Sequence, residues 1–123
     1  MVKNWKNMNT NNFEELIKPF FWVEHENSGS VCLDVGGYKS KIFQAREDEG
    51  FEGNGYDWAS LAMVFLEECT PELKSLIQFD PEAEMFCAYS SNIEALKTFI
   101  IAFKETCENE ILIQDLFSRV ELD

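Results

Sequence analysis

Apolar residues recur along this chain with two different periods, and the switches between them mark out its elements. Residues 1–12 show neither period. They are polar and rich in asparagine, which reads as a loose arm. Phe13 to Lys18 suits a helical turn that Pro19 stops. Strand patterning then takes over in Phe20-Phe21-Trp22-Val23-Glu24-His25-Glu26 and Ser30-Val31-Cys32-Leu33-Asp34-Val35. Asn27-Ser28-Gly29 between them supplies turn chemistry, so the pair predicts a hairpin. Gly36-Gly37 ends the second strand, and Tyr38 to Gln44 is expected as a third. Ala45 to Tyr56 is a glycine-rich acidic loop of a length that is often functional inside a compact domain.

The period changes at Asp57, a residue suited to capping a helix. Trp58, Leu61, Ala62, Phe65, Leu66 and Cys69 follow at helical spacing and predict one buried stripe, with Glu67 and Glu68 facing water. Pro71 stops or restarts this helix. Leu76-Ile77-Gln78-Phe79 and Glu84-Met85-Phe86-Cys87-Ala88-Tyr89 read as a second hairpin, with Asp80-Pro81-Glu82-Ala83 as a type I turn. Ser91-Asn92-Ile93-Glu94 has the form of a capping box. It opens a helix with Ile93, Leu96, Ile100, Phe103 and Cys107 on one face, and a last helix runs through Ile111, Leu112, Asp115, Leu116 and Phe117. This order predicts an α+β fold: an antiparallel sheet of two or more hairpins with helices packed on one face. Residues 13–123 are expected to form it as one domain.

Composition supports a packed core. Hydrophobic residues make up 46% and aromatics 14%, too apolar and aromatic for a disordered chain. No apolar run approaches the roughly 20 residues that span a bilayer, and the first residues lack the apolar stretch of a signal peptide. A cytoplasmic protein is expected. The four cysteines lie far apart with no CxxC pair, and His25 is the only histidine, so neither a disulfide framework nor a zinc site is predicted. Four reduced thiols and no cofactor are the expectation.

Charge changes the picture most. The net charge is −13, and it is uneven: residues 1–46 hold six Lys/Arg against five Asp/Glu, whereas residues 47–123 hold four against eighteen. Such a field repels nucleic acid and anionic membranes and speeds the arrival of basic partners. Solubility alone is the competing explanation.

Catalytic constellations fail on their own requirements. His25 sits among Glu24 and Glu26 with no nucleophile nearby in sequence. Gly53-Asn54-Gly55 lacks the Lys and Ser/Thr of a phosphate loop, and its carboxylate neighbours would repel phosphate. The alternating acids of residues 80–84 fit a turn better than a calcium loop. Paired carboxylates are too common in so acidic a chain to carry a signal. The chain reads as a binding protein and not an enzyme.

The run Phe51-Glu52-Gly53-Asn54-Gly55-Tyr56-Asp57-Trp58-Ala59-Ser60-Leu61-Ala62 and the run Phe79-Asp80-Pro81-Glu82-Ala83-Glu84-Met85-Phe86-Cys87-Ala88-Tyr89-Ser90 resemble the immunity protein 51 family. Asp115-Leu116-Phe117-Ser118 is similar too, and the likeness is densest from Phe51 onward. The resemblance implies an α+β immunity protein that neutralises a bacterial toxin encoded beside it, and it brings no catalytic residues. Many such toxins are nucleases, which need basic surfaces to hold a polyanion. The expected partner is therefore a cognate, basic protein toxin, with no nucleic acid or membrane partner. The candidate contact residues are Glu47, Asp48, Glu49, Glu52, Tyr56 and Asp57, joined by Glu82 and Glu84 on the hairpin turn. Tyr56 reads as a lid on the core, the commoner case for an aromatic at a helix start, or else as an exposed anchor, and Trp58 reads as core. Two other classes stay open: an acidic regulatory or adaptor domain with a non-toxin partner, and an enzyme that uses carboxylates and a metal.

Overall fold

The computed structural model describes residues 12–122. Of the arm expected over residues 1–12, only Asn12 lies within that range, where it belongs to helix α1 (residues 12–16). The chain then turns through Pro19 into strand β1 (Phe21–Glu24) and strand β2 (Gly29–Asp34). The His25 N–H donates to the Ser28 carbonyl at 2.8 Å, closing the predicted hairpin, and the His25 side chain is exposed. Strands β3 (Gln78–Phe79) and β4 (Met85–Ser90) make the second hairpin. All pairings are antiparallel and the order is β1-β2-β4-β3, so the hairpins meet along β2 and β4.

Alternation along these strands gives the sheet two unlike faces. Val31, Leu33, Phe86 and Ala88 point inward and are buried. Helices α3 (Gly55–Cys69) and α4 (Ile93–Glu108) pack over them, with α5 (Glu110–Phe117) beside both. Among the described residues no helix covers the other face, the open one, where Phe21, Val23 and Tyr89 are each about two-fifths exposed. The α+β expectation with helices on one face therefore describes the fold.

Trp58 lies at the middle of the core, 1% exposed. Its ring centroid is 5.4 Å from that of Phe43, 5.9 Å from Phe20 and 6.1 Å from Phe103, and Tyr38 stacks on it at 5.9 Å. Offset and edge-on pairs of this kind add about 0.5–1.5 kcal/mol each beyond area burial.

Five local expectations are corrected. Tyr38 to Gln44 is not a strand: Ser40–Gln44 forms helix α2, entered through Lys39 at a positive φ of 53°. Ile42 and Phe43, adjacent in that helix, are both buried. Helix α3 is capped by Asn54, whose Oδ1 accepts from the Asp57 N–H at 2.8 Å, so the helix starts at Gly55 and Asp57 lies within its first turn. The cap of α4 is Asn92, which accepts from the Ala95 N–H at 3.0 Å, and Ser91 is merely exposed. Cys69 leaves the α3 stripe and is exposed. The tip of the second hairpin is Ala83-Glu84, because Asp80 already donates to the Cys87 carbonyl and Glu82 exchanges hydrogen bonds with Met85.

Candidate partner-binding surface

The acidic segment is not a free linker. Its residues Glu47–Glu49 form a 3-10 turn, and Phe51 is buried against Phe117 of α5, their centroids 5.0 Å apart. Arg46 clamps the segment in place. Its guanidinium lies 4.5 Å from the Phe51 ring and 4.8 Å from the Phe117 ring, and Nη1 donates to the Phe117 carbonyl at 2.6 Å. The same group reaches both oxygens of Glu49, at 2.7 and 3.0 Å, and holds that carboxyl below its ordinary value. Glu49 is thus neutralised from inside the chain.

Asp57 is spent in a different way. It is 7% exposed, and its Oδ2 accepts from the backbone N–H groups of Glu52 at 2.7 Å and Gly53 at 2.8 Å. With the Asn54 cap these bonds fold the loop back on the first turn of α3. These two amides account for the burial of Asp57, whose role in the structure is to hold the loop.

The remaining candidates stand outward. Glu47, Asp48, Glu52, Glu82 and Glu84 are exposed, and none of them makes an ion pair among the described residues. Glu47 and Glu52 line one cleft with Gln44, Gly50 and Phe51. Tyr56 is 48% exposed, which resolves its two readings toward the surface, and Trp58 is core. Two positions along a helix turn a side chain by roughly 200°, so the neighbours of Asp57 point to opposite sides.

One contact joins the acidic segment to the hairpin tip. The Gly55 N–H donates to the Ala83 carbonyl at 3.0 Å. A Cβ at position 55 would lie 1.8 Å from the Glu82 carbonyl oxygen and 2.3 Å from that of Met85. Only glycine permits this approach. It seats the start of α3, with Tyr56 on its first turn, flush against the turn that carries Glu82 and Glu84.

The family model of immunity protein 51 matches residues 20–122, most of the chain. The chain belongs to the immunity protein 51 family. No curated protein and no solved structure matches it. Membership makes this an immunity protein, whose class of partner is a protein toxin, and points away from an enzymatic role. Among the described residues no group of three or more His, Cys, Asp or Glu is arranged to hold a metal ion. Nor is any described helix long and apolar enough to cross a membrane.

Other features of this immunity protein escape a reading by spacing. A cleft lined by Lys39, Lys41, Arg46, Glu110 and Gln114 gathers basic side chains, though Lys39 pairs with Glu110 at 2.6 Å. Cys32 and Cys87 face each other across the sheet. Neither is visible before the register is known.

Proposed function

We propose that this immunity protein acts in the cytoplasm, without catalysis, by binding a basic protein toxin on the acidic surface of Glu47, Asp48, Glu52, Tyr56, Glu82 and Glu84. The seat of Gly55 on the hairpin turn carries the proposal, because it makes neighbours of two acidic segments far apart in sequence. Unpaired carboxylates steer a basic partner and occupy positions meant for phosphate groups, which favours a nuclease as the target. Tyr56 supplies the exposed aromatic that such contacts use as an anchor.

The test is a variant in which Glu47, Glu52, Glu82 and Glu84 become Gln and Asp48 becomes Asn, assayed against the toxin encoded beside it. Association should slow at least tenfold and lose most of its salt dependence, while the melting temperature holds. Tyr56→Ala should instead speed dissociation. Wild-type association by the charge variant would place the toxin on another face.

A further inference from the structure

The open face of the sheet carries two thiols that the function above does not use. Cys32 on β2 and Cys87 on β4 are direct partners in the antiparallel register, and their Sγ atoms are 2.6 Å apart. Both are free cysteines. The ladder shows which kind of pair they form. The Cys87 carbonyl accepts from the Asp80 N–H at 2.9 Å, and the Val35 N–H donates to the Glu84 carbonyl. The backbone polar groups of Cys87 therefore point toward β3 and away from β2. Cys32 and Cys87 are a non-hydrogen-bonded pair, the site where facing Cα atoms lie closest, at about 4.5 Å. That separation falls inside the range a disulfide spans.

We propose that Cys32 and Cys87 are a dithiol that a small-molecule disulfide closes into a disulfide across β2 and β4, making the open sheet face a redox modification site. Cys87 is the more exposed of the two, and Cys32 is 6% exposed, which sets the order of events. The Cys87 thiolate attacks the small disulfide, whose sulfur–sulfur bond breaks, and the first leaving thiolate takes up the proton that Cys87 lost. The Cys32 sulfur then attacks Cys87 Sγ in the mixed disulfide and expels the second small thiolate, which takes the proton of Cys32. Two electrons and two protons pass to the oxidant, which leaves as two thiols. Burial, then the Cys87 thiol and the Asp34 and Asp80 carboxylates, push the Cys32 thiol up to about 12. Cys32 therefore rests as a thiol until an oxidant engages Cys87.

The other cysteines serve as controls. Cys69 is exposed at the end of α3 and Cys107 is fully buried in α4. In a Cys69→Ser background, the folded protein is incubated with oxidised glutathione, quenched in acid, unfolded and alkylated. Alkylated thiols should fall from three to one, with a single linked peptide pair holding Cys32 and Cys87. The melting temperature should rise by about 10 °C, because the bond closes a long loop of the unfolded chain. With Cys32→Ser added, one glutathione should remain on Cys87; with Cys87→Ser added, Cys32 should stay unmodified. Three alkylated thiols after exposure, a lasting glutathione on Cys87 in the chain that keeps Cys32, or a linkage through Cys107 would each overturn the proposal.

Discussion

Phe103 and Asp57 show the two ways a single residue holds this molecule together. Phe103 is fully buried, and its ring lies 5.2 Å from Phe65, 5.4 Å from Phe99 and 6.0 Å from Phe20, centroid to centroid. Phe103→Ala should cost about 3–5 kcal/mol in urea unfolding, since its neighbours cannot collapse into the space. Asp57→Ala leaves the Glu52 and Gly53 amides without an acceptor. We expect a loss of about 2–3 kcal/mol, and faster hydrogen exchange at those two amides should accompany it. Phe103 is legible in sequence because period alone puts it on the buried face of a helix. Asp57 is not, because its partners are backbone groups whose position depends on how the preceding loop folds. The same limit applies to Glu49, whose neutralisation by Arg46 needs the turn between them.

The β3–β4 hairpin and helix α3 are fitted to each other through Gly55. Gly55→Ala would raise intrinsic helix propensity, yet its methyl group would strike the Glu82 and Met85 carbonyls, both backbone atoms. Elements must part, so the substitution should destabilise by about 1–3 kcal/mol in chemical unfolding despite the gain in propensity. Arg119 makes a second inter-element tie, reaching Glu68 of α3 at 2.7 and 2.8 Å and Asp115 of α5 at 3.0 Å. Its hydrogen bonds hold both carboxyls below their ordinary values of 4.5 and 3.8. A depressed carboxylate stabilises above its unfolded value, and that contribution is lost as pH falls through the folded one. Arg119→Gln should therefore lower the melting temperature slightly at about pH 6, and the gap should close toward about pH 2. Both hairpins, α3, α4 and α5 are legible as elements, because a strong apolar period spans each. The short α2 is not: Tyr38, Ile42 and Phe43 fit either period, and only packing decides between them.

The whole molecule carries −13 with eight basic side chains among the described residues, six of them in ion pairs. The surplus acid repels itself, so raising salt from about 0.01 M to about 0.5 M should raise the melting temperature. A flat or falling salt profile would mean that ion pairs such as Arg119–Glu68 outweigh the repulsion. Charge asymmetry is fully present in sequence, but the seating of the hairpin tip on Gly55 is not, because Glu82 reaches that segment only through the fold. Register makes a comparable demand on time. The β2–β4 seam joins residues such as Cys32 and Cys87, 55 positions apart, and pairing across so long a loop comes late. A ribosome that has delivered the first hairpin and α3 has made a sheet with its central edge bare and the inner face of that helix only partly covered. Translation must run past β4 before the seam closes, and through α4 before the core is roofed. Half-synthesised copies lack both the seam and the roof, so the supply of folded immunity protein is counted in finished chains and responds to elongation as well as initiation.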